Sequence, residues 1–331
     1  MSEFRIDQIT NQSGSRGPDI AGITTFTGTS GMVMPSGPTE YRGGRDRGLI
    51  GGGYSGSYEN TIDYITISTT GNAVDFGDRT VTADKAGACS SSTRGLFAGG
   101  QPVTNIIDYV TISSTGNAFD FGDLSAQKER SAACSSAIRG LFAGGFNPNG
   151  NIDVIEYATI STLGNVADFG DLTEKVTGAA GCSSSTRGLF GGGLITRNVI
   201  DFVTISTLGN ATDFGDLTEN CYLLASCSNS IRGLFGGGSG SVRINTISYV
   251  TIASTGNAID FGDLTDERNE FSSCSSSVRG VFSSGYNGTT REDTIEYVQI
   301  MSTGNAIDFG NLTVGRSSAA SCSDAHGGLG D

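Results

Sequence analysis

The chain contains no tryptophan, a single histidine at position 326, only three lysines (Lys85, Lys128 and Lys175), and no long uninterrupted apolar run. Each absence removes a class of function. One histidine leaves too few nitrogen ligands for a zinc centre. With 20 basic against 34 acidic residues, the net charge of -14 opposes any partner reached by neutralising phosphates, so no nucleic acid is expected. Without an apolar run long enough to cross a bilayer, membrane insertion is not expected either. The opening residues MSEFRIDQIT lack the charged-then-apolar order of a secretory signal, which points to synthesis and folding in the cytoplasm. The seven cysteines include no CxxC pair.

What the chain has in excess is glycine, 51 of 331 residues, together with a hydrophobic content of 36% that is low but periodic. That combination favours short strands and many turns around a packed core over disorder. The periodicity is that of an internal repeat. RGLI at 47 returns as RGLF at 94, 139, 187 and 232 and as RGVF at 279, with a degenerate GGLG at 327. A second phrase keeps the same rhythm: GNAVDFGD at 71, GNAFDFGD at 116, GNVADFGD at 164, GNATDFGD at 209, GNAIDFGD at 256 and GNAIDFGN at 304. Six units of about 45 residues result.

Each unit reads as four strands. The first is small and polar, as in SAACSSA from Ser131; the second is RGLFAGG, closed by glycines. The third, IDYVTIS from Ile107, alternates apolar and polar residues with the period of a half-buried strand, and the fourth carries NAFDFGD. Four strands per repeat predict an all-β propeller of six four-stranded blades. The pattern resembles the kelch repeat over roughly residues 47 to 327: a small strand, an apolar strand ending in GG, an aromatic "IDY" strand and a closing aromatic before "GDL". Kelch units usually place tryptophan in the fourth strand; here Phe76, Phe121, Phe169, Phe214, Phe261 and Phe309 stand there, so the unit is a divergent, kelch-like one.

The repeat begins at its second strand, Arg47 to Gly53, and the missing small strand reappears as SSAASCSDA from Ser317. The expected architecture is therefore an arm over 1–46 and a propeller over 47–331, with a C-terminal strand near 317–325 completing the first blade and leaving no ragged edge. Alternating strand direction sorts the loops into two sets. The connections CSSSTRG and TISSTGNA hardly change between units, whereas GGYSGSYENT, GGFNPNGNID, SGYNGTTREDT and their equivalents differ in length and letters. One face of the disc is monotonous and the other diverse, as in a scaffold carrying a recognition surface; unconstrained drift of surface loops accounts for the diversity equally well. On the diverse face Tyr54, Tyr58, Phe146, Asn147, Asn149, Tyr286 and Asn287 suit sugar stacking and hydrogen bonding, though they are also ordinary turn formers.

The repeated phrase itself reads as construction material. Gly-Asn suits a turn, the Phe fills the space between neighbouring blades, and Gly-Asp turns the chain away. DFG in six copies without a phosphate loop is not the kinase magnesium motif, and the spacing of a calcium loop is missing. Cys89, Cys134, Cys182, Cys227, Cys274 and Cys322 occupy one equivalent position, with Cys221 left over; they read as buried thiols of the innermost strands, too far apart for disulfides. Arg47, Arg94, Arg139, Arg187, Arg232 and Arg279 also recur once per unit, either as a cationic ring for an anion or, the favoured reading, paired with the repeated aspartates between blades. No nucleophile and base stand out, so neither catalysis nor a cofactor or metal is expected.

Residues 1 to 46 lack the repeat and are rich in Gly, Ser and Thr, with apolar islands; they read as an arm that gains order against a partner. Phe4, Asp7, Ile9, Thr10 and Asn11, then Gly22 through Met32, then Pro35 through Thr39 resemble the N-termini of virion structural proteins of marine tailed phages, notably cyanobacterial myophages. The resemblance implies a virion protein docked on other virion proteins through Phe4, Ile6, Ile9, Ile23, Phe26, Met32 and Met34, with the propeller displayed outward. Three readings compete: a tail-fibre or spike-like protein contacting a host-surface glycan or protein; a structural or decorating element of tail, baseplate or capsid; and a cellular kelch-type adaptor, which the lack of an appended helical oligomerisation domain argues against.

Overall fold

In a computed structural model, residues 46–194 and 197–325 are described, together with the two-residue strands Phe26–Thr27 and Gly31–Met32, which pair antiparallel. The other arm calls, Phe4, Ile6, Ile9, Ile23 and Met34, lie outside the described residues, as do His326 and the GGLG copy.

Residues 46–325 form the six-bladed propeller that the repeat implies, with no helix among the described residues. In sheet order from the axis outward, blade 1 is Ala320–Ser323, Arg47–Gly51, Thr61–Thr66 and Val74–Asp78. Blade 3, which shows the unbroken chain order, is Ala132–Ser135, Arg139–Ala143, Gly150–Thr159 and Ala167–Val176. Blades 2, 4, 5 and 6 begin with the innermost strands Gly87–Ser90, Ala180–Ser183, Ala225–Ser228 and Ser272–Ser275, and neighbouring strands are antiparallel throughout. Blade 1 closes the ring, because its innermost strand comes from the far end of the chain, with Cys322 opposite Leu49 and Ser323 opposite Gly48.

Four repeated contacts explain the repeated letters. In the Arg-Gly pair the glycine carries no side chain because the cysteine of the preceding blade fills the space: a Cβ on Gly188 would lie 2.7 Å from Cys134 Sγ, and Gly48, Gly95, Gly140, Gly233 and Gly280 meet Cys274, Cys322, Cys89, Cys182 and Cys227 in the same way. All seven thiols are free and buried.

The last residue of each innermost strand is a serine, and the six form a ring about the axis. Ser135 Oγ donates to Ser90 O, Ser183 Oγ to Ser135 O, and so on round to Ser90 Oγ on Ser323 O, at 2.6–2.8 Å. Every donor points the same way around the ring, which leaves no buried hydroxyl unpaired there.

The repeated phrase is a clasp at the rim. The GNA end of one blade lies along the FGD end of the preceding one: Gly116 N donates to Phe76 O at 2.8 Å, Ala118 N to Asp78 O at 2.7 Å, and Asp78 N donates to Asn117 Oδ1 at 3.1 Å. Gly77 sits so close to Gly116 that a Cβ would meet its carbonyl at 2.5 Å, and its φ of 146° adds a second reason for glycine. The phenylalanine beside the clasp is buried against the next blade. Phe169 of blade 3, for example, shares a cluster with Phe190, Val203 and Ile205 of blade 4 and packs edge-on to Tyr157 at 6.2 Å. Burying each such ring contributes roughly 1.5–3 kcal/mol.

The fourth contact corrects an expectation. The six repeated arginines are not paired with the aspartates of DFGD. Arg139 Nη1 donates to Ile205 O of the next blade at 2.9 Å, and its guanidinium lies 4.8 Å from the Tyr157 ring of its own blade. Arg47, Arg94, Arg187, Arg232 and Arg279 repeat both contacts on Ile112, Ile160, Ile252, Ile300 and Ile67. A carbonyl and a ring face satisfy the part-buried cation without drawing a hydrated carboxylate out of water to meet it.

Buried ion pairs do join the blades, but from other residues. Asp63, Asp108, Glu156 and Glu296 stand at one equivalent place in the third strand and meet Arg316, Arg79, Lys128 and Arg268 from the connection of the preceding blade. Blade 4 draws Arg197 for Asp201 from its own connection between second and third strands. Blade 5 has Ser248 instead of a carboxylate, and the position equivalent to Arg316 before it holds Cys221, so cation and anion are absent together.

Candidate functional site

The strand directions place the connections from second to third strand, and from fourth to the next first, on one face. It is the diverse face. The chain enters the propeller on the opposite, constant face, where Arg47 N donates to Asp324 Oδ1 at 2.8 Å and Asp324 N donates to Arg47 O at 3.1 Å.

On the diverse face five side chains from blades 5, 6 and 1 stack in a row. The Tyr54 and Tyr58 rings lie 5.4 Å apart, the Arg291 guanidinium sits 4.6 Å from the Tyr54 ring and 5.9 Å from the Tyr286 ring, and the Arg243 guanidinium lies 5.1 Å from the Tyr286 ring. The row thus runs from an aromatic pair into cations interleaved with a third ring: Tyr58, Tyr54, Arg291, Tyr286, Arg243. Local chemistry sets it up. Tyr54 bridges both Tyr58 across its own turn and Ser317 of the closing segment, while Tyr286 bridges Asn269 and Arg291 and donates its hydroxyl to Gly288 O at 2.8 Å. Gly288 leaves room for Arg243, whose guanidinium would lie 2.6 Å from a Cβ there.

Of the sequence candidates, Tyr54, Tyr58, Tyr286 and Asn287 come together in adjacent blades. Phe146, Asn147 and Asn149 lie in blade 3, across the ring from blade 6. The asparagines are occupied within their own turns: Asn147 Oδ1 accepts from Asn149 N at 2.8 Å, and Asn287 Oδ1 accepts from Thr289 N and Thr290 N while its amide donates to Glu292 Oε1 at 2.6 Å. Phe146 is 41% exposed and pairs with Asn151 in a short extension of its hairpin. Phe76, Phe121, Phe169, Phe214, Phe261 and Phe309 are all buried between blades.

Arg243 and Arg291 were not singled out from sequence. Their signal is that they are arginines standing outside the repeated RGLF position, each within a variable connection of the sequence, although Arg243 opens the strand Arg243–Thr251.

Nearer the axis of the same face, six equivalent residues form a second ring. Lys85, Arg130, Leu223, Glu270 and Ser318 have φ of 54–58°, and Gly178 has 68°. Each donates its N–H to the carbonyl of the one before: Arg130 to Lys85, Gly178 to Arg130, Leu223 to Gly178, Glu270 to Leu223, Ser318 to Glu270 and Lys85 to Ser318, at 2.5–3.2 Å. Backbone alone builds the ring, so the six side chains differ freely. Arg130 of blade 3 and Glu270 of blade 6 face each other across the axis, 3.5 Å apart and about a quarter exposed. Burial pushes the neighbouring Asp84 carboxyl up to about 6, against the pull of Lys85 and with the help of Glu270.

No known family model matches this sequence, and no curated protein is significantly similar to it. Among the described residues no cluster of histidine, cysteine and carboxylate side chains is arranged to hold a metal ion.

Proposed function

We propose that the chain is a non-catalytic recognition module, a tail-fibre or spike-like virion protein anchored through residues 1–46 whose diverse propeller face binds a host-surface glycan. The observation that carries this reading is the aromatic and arginine row on the face opposite the point where the chain enters the propeller. Neighbouring Tyr and Arg side chains offer ring faces for the apolar side of a sugar and guanidinium donors for its oxygens. Tethering at the constant face leaves the row free to meet a surface. Assembly on a virion, with other virion proteins as partners, rests on the resemblance of the arm alone.

A decorating role without a receptor draws support from one other observation. Among the described residues, ten of the fourteen exposed large apolar side chains, Phe119, Ile138, Leu163, Ile231 and Val278 among them, sit on the constant face or its rim, a surface suited to packing on a neighbour.

The experiment compares binding of the purified full chain to intact host-type cells with that of a Tyr54→Ala, Arg291→Ala, Tyr286→Ala variant. Recognition predicts saturable binding by the parent and at least a tenfold loss in the folded variant. Absence of binding by the folded parent would overturn the recognition reading and leave the decorating one.

A further inference from the structure

The mouth of the axial channel on the diverse face is a cavity of ≈ 100 Å³. Below it the channel continues as a second space of ≈ 110 Å³ walled by small residues such as Ala86, Ala179 and Ser273. The mouth is lined by the side chains that the backbone ring leaves free to vary, and they are not mixed at random. Ser318, Lys85 and Arg130 come from the consecutive blades 1, 2 and 3 and form an unbroken arc of hydrogen-bond donors. Gly178, Leu223 and Glu270 form the facing arc, backed by Leu224 and Phe271. Two donors of the first arc are unspent: Ser318 Oγ and Arg130 Nε are buried and have no hydrogen-bond partner among the described residues. Ser318 as a whole is only 7% exposed. Buried polar atoms without partners are uncommon in folded proteins and call for an explanation.

We propose that this mouth is a second binding site, separate from the aromatic and arginine row, that takes the carboxylate end of a small acidic ligand such as a uronic acid residue. The carboxylate accepts from Arg130 in two-point fashion, using the free Nε, and from Ser318 Oγ, with Lys85 adding charge from the blade between them. Glu270 holds that place in the unliganded protein as an internal stand-in. Its contact with Arg130 is long and partly solvated, so displacing it costs little. The cavity is large enough for a carboxylate and the carbon that bears it, against the buried Phe271, while the body of the ligand rests outside beside Leu223. The space beneath is lined by Gly, Ala, Ser and Phe residues and offers no competing charge.

Glucuronate, acetate, sulfate and glucose are titrated into the purified full chain by calorimetry, with a melting curve for each variant. The site predicts binding of glucuronate and acetate in the millimolar range, weaker binding of sulfate, and none of glucose. Glu270→Gln is expected to tighten glucuronate several-fold by removing the stand-in, and Arg130→Gln to weaken it at least tenfold. Unchanged or weakened binding in a folded Glu270→Gln protein would overturn the proposal, as would equal binding of glucose or the absence of glucuronate binding. Should Arg130→Gln not fold, the Glu270→Gln result decides alone. Glucuronate binding that is lost in the Tyr54→Ala, Arg291→Ala, Tyr286→Ala variant and kept in a folded Arg130→Gln protein would assign it to the row and overturn the proposal.

Discussion

The thiol of Cys134 occupies the space that a side chain on Gly188, one blade further round, would need. Six such pairs run around the disc, each a contact between sheets that share no strand. A Gly188→Ala substitution therefore overpacks the interface and is expected to cost about 1–3 kcal/mol. Cys134→Ala alone leaves a small void. The double substitution restores part of the fit, so the two changes are non-additive by about 1 kcal/mol in a urea-unfolding cycle. Strict additivity would show that the contact is not a constraint.

The rim clasp makes a separable contribution. Asn117→Ala removes the side-chain acceptor for Asp78 N and leaves the two flanking backbone bonds in place. A loss of about 1 kcal/mol is expected, read as a lowered urea midpoint, whereas Asn117→Asp keeps the acceptor and most of the stability.

Arg316 and Asp63 lie wholly buried at the junction where the end of the chain meets its beginning. Asp63→Ala strands the guanidinium and is expected to cost about 3–5 kcal/mol. Cys221→Ala, at the equivalent place before blade 5 where the facing residue is Ser248, removes no charge partner and should cost far less. Similar losses in the two variants, measured side by side by thermal unfolding, would contradict this account.

Stability should also respond to pH through Asp84 and Asp324, whose carboxyls burial pushes up to about 6. In the unfolded chain both titrate near 4. Between those values the folded protein binds protons that the unfolded chain does not, so their favourable contribution is complete below about pH 4 and is lost as pH rises through 6. The melting temperature is expected to fall between pH 5 and pH 7.5. Asp84→Asn should raise it at pH 7.5 and flatten the slope; an unchanged slope would remove Asp84 from the explanation.

Much of the fold is legible because a propeller writes each blade contact into the sequence once per unit. RG, GNA and DFGD can be read as structure since every copy answers to the same neighbour. The arginines show where that legibility stops. Their recurrence marks a structural role, but the partner is a backbone carbonyl, and a carbonyl leaves no letter in the sequence, so the repeated aspartates looked like the natural counter-charge. The candidate site is harder still. Tyr54 and Arg291 belong to segments far apart in the sequence and touch only because the ring closes, and Asn287 beside them, conspicuous in the sequence, is consumed by its own turn. At the axial mouth, the letters K, R, G, L, E and S in equivalent positions look like drift until the backbone ring beneath them is seen.

The way the chain enters the disc sets how it bears a load. A pull transmitted through the N-terminal segment arrives at Arg47, on the constant face, and runs along the strand Arg47–Gly51. That strand is flanked on one side by Ala320–Ser323 and on the other by Thr61–Thr66, both antiparallel to it. The force therefore acts lengthwise on two hydrogen-bonded ladders at once, in shear, and cannot peel them open one bond at a time. Strand exchange between the two ends of the propeller, which closes the ring, thus also makes its anchorage mechanically strong.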